Sequence, residues 1–297
     1  MTESGLDAMT IDEPAVSDGP RPAQVIRQRR SYLDLVGVVV IAVLAAMLLH
    51  NLITNPRWKW HTIWSYLFNP LVVTGLEHTI ELTILAGATG TLFGIVVACL
   101  RLSNSRVLRT VALAYVGFIR AVPALVLLLL LYFMAAIFPT VSLGIPFGPD
   151  VATTSVNTLL TQLTAAWLGL TMIVGAHSGE IIRGGILSVP AGQSEAARAL
   201  GMPPGMTFVR VVLPQAIRVS IPGLANELVS LFKNTSLVSV IGYTELLTVV
   251  QQIYGRTYQT IPMLLVAFIW YLALTTVAMI GQYFLERRFG RGYAAVR

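Results

Sequence analysis

Charge is scarce in this chain. Only 11% of its 297 residues are charged and 55% are hydrophobic, against roughly a quarter charged in an ordinary soluble domain. That balance excludes a soluble globular protein. Cysteine is nearly absent: Cys99 stands alone inside an apolar stretch, which excludes a disulfide framework and a cysteine-rich metal site and leaves a small packing residue. His50, His61, His78 and His177 show no ligand-like spacing with carboxylates, so no metal is expected. No Ser-His-Asp or Cys-His arrangement marks a catalytic residue either. Lysine occurs only as Lys59 after Trp58 and Lys233 after Phe232, and neither closes the glycine-rich cradle of a P-loop. The chain is therefore expected to be non-catalytic and to hold no cofactor of its own. Residues 1–30 lack the apolar core of a secretory signal; they carry Glu3, Asp7, Asp12, Glu13 and Asp18 ahead of four arginines and read as a disordered cytoplasmic tail.

What the chain has instead is apolar length. Stretches near 35–54, 78–100, 111–138, 151–178, 217–241 and 261–284 are each long enough to cross about 30 Å of hydrocarbon as a helix. An open strand edge in lipid leaves backbone groups unsatisfied, so the expected class is an all-α membrane protein of about six transmembrane helices. The net charge of +6 belongs to topology rather than to nucleic acid. Alternating the spans from an inside N-terminus puts fifteen of the twenty basic residues inside, including Arg101, Arg106, Arg183, Arg210 and Arg287, and only Arg57, Lys59 and Arg256 outside. Both termini are then cytoplasmic. The external segment 55–77 holds Trp58, Trp60, Trp64, Tyr66 and Phe68, which suits a helix at the headgroup boundary. The loop 139–150, with Pro139, Gly144, Pro146, Gly148 and Pro149, is a second external connection of turn residues.

The long inside loop is the most informative stretch. Ser194 stands ready to cap a helix-forming run Glu195–Leu200, Glu195 in its first turn complements the helix dipole, and Gly201 supplies the left-handed residue that stops it. Pro203 and Pro204 forbid its continuation. Glu195-Ala196-Ala197, three residues, Gly201, nine residues, then Val211, one residue and Leu213-Pro214 resembles the loop signature of permease subunits of ATP-binding-cassette importers, with Val211 where that signature usually has Ile. The likeness continues through Glu180–Pro190, Pro214–Arg218, Asn226-Glu227, Ser230–Gly242 and Glu245-Leu-Leu. Together these resemble the polar amino-acid uptake branch, the permeases for histidine, glutamine, glutamate, arginine and opines.

The resemblance implies a type I importer transmembrane domain over 75–288, with a coupling loop at 183–216. An added first helix and external interfacial segment (31–74) precede it, and a short cytoplasmic tail (289–297) follows. It implies partners: ATPase subunits that bind the ATP, a second permease subunit (identical or paralogous), an extracytoplasmic substrate-binding protein, an amino-acid substrate and the bilayer of a bacterial inner membrane. Glu195 would offer its carboxylate to the ATPase, Ala196 and Ala197 would allow close approach, Gly201 would set the turn, and Leu213 and Pro214 complete the signature. Polar residues in the spans are the second set of candidates, because intramembrane polar groups are costly and commonly line a pathway. They are Glu77, Thr79, Glu81 and Thr83 in the second span, His177, Ser178 and Glu180 in the fourth, and Glu227, Lys233, Asn234, Thr235 and Ser236 in the fifth. For each there is a plainer role: a headgroup contact, an ion pair, a snorkelling lysine or a hydroxyl joining helices. An ion-gradient-driven transporter or channel for small polar solutes is the competing function.

Overall fold

A computed structural model describes residues 32–144 and 150–289. The acidic tail 1–30, the loop residues Pro146, Gly148 and Pro149, and positions 290–297 of the C-terminal tail lie outside the described residues. The chain divides into two compact units, Met1–Asn55 and Pro56–Arg297. In the first, α1 (Tyr32–Thr54) is apolar all round and none of its described side chains is buried, as a helix with lipid for solvent requires.

The second unit begins with a 3-10 turn (Pro56–Trp58) and the eight-residue α2 (Trp60–Leu67), which buries Ile63 and Leu67. Next comes α3 (Pro70–Leu102), begun by Asn69, whose side chain accepts from the Leu71 N–H, with Pro70 in the first turn. This start lies well before the apolar stretch at 78–100, because a cap rather than hydropathy sets a helix end. Cys99 on α3 is exposed, so it is not the packing residue expected of it; it lies off the face that α3 turns to its neighbours.

The third span is not one straight helix. Helix α4 (Arg106–Ala121) and the segment Ala124–Ala136, opened by α5 (Ala124–Tyr132), meet at 104°. Pro123 is the cause: it has no N–H to continue the ladder and holds Val122 in an extended conformation (φ −90°, ψ 134°). The fourth span also departs from expectation. Instead of starting at 151, the chain forms a hairpin of β1 (Thr140–Gly144) and β2 (Asp150–Ser155), paired antiparallel with Val141 opposite Thr154. A short α6 (Val156–Leu159) follows, and α7 (Gln162–Leu187) begins only after Thr161 caps it. The Val-Ala-Thr-Thr run suits a strand better than a helix, and window hydropathy does not separate the two.

Beyond α7 come α8 (Ala191–Ala199), α9 (Pro204–Thr207), a π-helical segment (Phe208–Val212), α10 (Leu213–Asn234) and a 3-10 segment (Thr235–Ile241). Helix α11 (Leu246–Thr257), which hydropathy did not disclose, precedes α12 (Thr260–Phe289). Among the described residues five helices are long and apolar enough to cross a membrane, or six with the bent pair taken as one span.

Small residues hold α3 to α7. Gly90 and Gly94 on α3 face Gly175 and Gly179 on α7, and an added Cβ at Gly94 would sit 2.7 Å from the Ser178 Cβ and 2.9 Å from the Gly179 nitrogen. Such close approach supplies dispersion energy where the hydrophobic effect does not act between helices. Hydroxyls add to it: Trp167 Nε1 donates to Thr89 (3.0 Å), and the Thr89 and Thr171 hydroxyls are 2.8 Å apart. Gly94→Val is expected to destabilise the fold by about 1–3 kcal/mol, read as an earlier thermal transition in detergent. Gly117→Ala, inside α4 where a Cβ meets nothing within 4 Å, should not lower the transition and should raise it slightly through helix propensity.

Candidate functional site

The short helix of the long loop is present, but it starts earlier than its sequence suggests. Pro190 precedes it, Gln193 N–H donates to the Pro190 carbonyl (3.0 Å), and Ser194 lies inside the helix rather than capping it. Glu195 accordingly falls in the second turn, exposed. The reason is that Pro190 presets the backbone one residue before Ala191, which lets the helix nucleate ahead of the serine. Its end agrees with expectation. Gly201 is left-handed (φ +77°), its N–H donates to Arg198 O (2.9 Å), and the Met202 N–H donates to Ala197 O (3.1 Å); these two bonds are the Schellman stop. Ala196 is exposed, Ala197 is buried, and Leu200 projects from the last turn 83% exposed. Leu213 and the exposed Pro214 form the first turn of α10. The loop therefore offers a stiff, small-residue helix with one apolar knob, joined by α9 and the π segment to α10.

The polar candidates of the spans separate into groups. Glu180 is ion-paired with Arg101 of α3 (3.0 Å), which fastens α3 to α7 near their ends, and with Arg183 of its own helix (2.8 Å). His177, three residues away, turns instead to Glu227 of α10 (3.1 Å). Thr83 donates to Thr79 O (2.7 Å) within α3, and Thr235 and Ser236 at the start of the 3-10 segment donate back to Phe232 O and Lys233 O of α10 (both 2.7 Å). Ser178 is buried at the α3–α7 contact with no hydrogen-bond partner for its hydroxyl among the described residues. Glu77 and Glu81 are exposed on one face of α3, Asn234 is half-buried and Lys233 is exposed.

Lys233 belongs to a larger pattern that single residues did not reveal. Arg218, Pro222, Asn226, Ser230 and Lys233 recur on one face of α10, with Arg218, Asn226 and Lys233 exposed and Ser230 half-buried. Among the described residues, Arg218, Asn226, Ser230 and Lys233 have no side-chain partner within the chain. A span that turns such a stripe outward must meet water or another protein there, not lipid. On its other side α10 faces α3 and α12 across a cavity of about 790 Å³, whose wall is apolar apart from Thr91, Glu227 and Gln282.

One carboxylate was missed as a structural centre. Glu245 is fully buried; it accepts from Tyr271 OH of α12 (2.5 Å) and from the N–H groups of Leu247 (2.9 Å) and Thr248 (2.8 Å) at the start of α11. Thr79 of α3 lies against it, accepting from Leu246 N–H (3.1 Å). A single side chain thus caps α11 and joins it to α3 and α12. The sequence signal is Glu245 with Thr248 three residues on, just past the left-handed Gly242, a helix start that stands between two spans.

Known proteins with this arrangement are transport subunits. Residues 90–291 match the family of binding-protein-dependent transport system inner membrane components. The arginine transport system permease protein ArgU of Corynebacterium glutamicum is 36% identical over 281 residues, covering 92% of this chain and 85% of that protein. The L-cystine transport system permease protein TcyB of Bacillus subtilis is 37% identical, over 75% of this chain and 88% of its own. A crystal structure of an amino acid ABC transporter with histidines is 35% identical and superposes with a TM-score of 0.63, over 74% of this chain and 95% of that one. The likeness read from the loop extends in this way through α3 to α12. The chain belongs to the inner-membrane permease family of binding-protein-dependent ABC importers.

Proposed function

We propose that this permease carries a polar amino acid across the cytoplasmic membrane, driven by ATPase subunits that grip α8 and supplied by an external binding protein. The observation that carries the reading is the attachment of an exposed, rigidly stopped helix, α8, to α10, a long helix with an unpartnered polar stripe. An amino acid brings an ammonium and a carboxylate, and Arg218, Asn226, Ser230 and Lys233 offer donors and acceptors to both if a second permease subunit closes the other side of the passage. The His177–Glu227 pair ties α7 to α10 behind that face. Leu200 and Ala196 offer the ATPase a knob and a close approach, and Glu195 a charge at the rim. The arginine distribution supports a cytoplasmic side for this loop and for both termini. Relatives named for arginine and cystine transport support a polar amino acid as cargo.

Reconstitution in liposomes tests this. Uptake of a radiolabelled polar amino acid is expected only when the ATPase, ATP and the binding protein are all supplied. Uptake by the permease alone under an ion gradient would overturn the reading in favour of a secondary transporter.

A further inference from the structure

We propose that Pro214 and Gln215 act as positioning residues: they build a wide helical turn that joins α8 to α10, and the register of that turn transmits motion between them. The proposal rests on the reading above, in which α8 takes the push and α10 borders the passage. The joint itself is the π segment Phe208–Val212, where the Leu213 N–H donates to the Phe208 carbonyl, five residues back instead of four. Pro214 explains it. A proline beyond the first turn of a continuous helix lacks the N–H owed to the carbonyl four residues back, and its ring collides with that carbonyl. Here the carbonyl is that of Arg210, and one extra residue in the turn relieves the collision. Gln215 then holds the turn from the α10 side, its Nε2 donating to Val211 O (2.9 Å). Helix α8 packs on the widened segment, and α9 runs directly into it.

The mechanical consequence follows from helix geometry. A π turn absorbs one residue more than an α turn, so everything before it is offset relative to α10 by about 100° and about 1.5 Å. With the turn wound as α-helix, α8 would present another face to its partner while α10 stayed in place. Single π turns are uncommon and are frequently found at functional positions. This one stands between the element that receives force and the element that lines the path.

The test uses the whole transporter, permease with ATPase and binding protein, in proteoliposomes, and reads solute taken up per ATP hydrolysed. Pro214→Ala permits an α turn; hydrolysis should stay within about twofold of the wild type while uptake per ATP falls about tenfold. Deleting Val209 from the Pro214→Ala chain removes the surplus residue, restores the register of α8 and should recover most of the lost coupling. A proline needed only for folding would not be rescued by a deletion. Gln215→Leu is read in parallel, expected to lower uptake per ATP about threefold, and decides the matter alone if Pro214→Ala does not assemble. Unchanged coupling in the assembled variants, or a deletion that worsens Pro214→Ala, overturns the joint. Failure of the functional reading looks different: the wild type itself would then take up solute with no ATPase present.

Discussion

Gly201→Val is expected to leave the permease inserted in the membrane and to cut ATP-driven uptake by about tenfold or more. Gly201 ends α8 at φ +77°, where a residue with a side chain costs about 1–2 kcal/mol and a β-branched one more. A Cβ there meets nothing within 4 Å, so the penalty is conformational and not a clash. The variant should open the two bonds from Gly201 and Met202 to Arg198 and Ala197. Losing them frays the turn that carries Leu200 and turns the helix away from its partner. Asparagine tolerates the left-handed region, so Gly201→Asn should retain most of the uptake. Comparable rates for the valine and glycine proteins, at equal amounts in the membrane, would remove α8 from the coupling path.

The largest loss of stability is expected from Glu245→Ala. Its removal strands the Tyr271 hydroxyl and the Leu247 and Thr248 N–H groups, each at about 1–3 kcal/mol, and about 3–9 kcal/mol where the three costs add. That is a large share of the about 5–15 kcal/mol by which native proteins are typically stable. Little monodisperse protein should survive detergent extraction. Glu245→Gln keeps one acceptor for the α11 cap and should be milder, and Tyr271→Phe, which removes one donor, milder still. A thermal transition in Glu245→Ala within a degree or two of the wild type would show that α11 is held by apolar packing alone.

The two residues differ in how far each was legible. Gly201 was readable because its role is local: a glycine after a helix-forming run, with prolines beyond, specifies a stop whatever surrounds it. Ser194 misled for a related reason, since two adjacent cap signals compete and the upstream Pro190 won. Glu245 carried only a faint local sign, and its weight comes from Tyr271, 26 residues on, and from Thr79 on α3. The polar candidates behave likewise. Glu180 pairs with Arg101 across 79 positions and His177 with Glu227 across 50, whereas the sequence showed the two polar residues in the fourth span and nothing of their partners.

By itself the sequence determined the solvent, the rough number of spans, the family and the position of the loop helix and its stop. These depend on composition, on runs of about 20 apolar residues and on single-residue backbone preferences, all of which act over a few positions. Tertiary structure alone decided that the third span folds back on itself at Pro123, that residues 150–155 pair as a strand, that α11 is held between α3 and α12, and which carboxylate meets which arginine or histidine. Those outcomes depend on which surfaces come within bonding distance once the helices pack. In a chain where nearly every segment is apolar, hydropathy ranks none of those pairings above another.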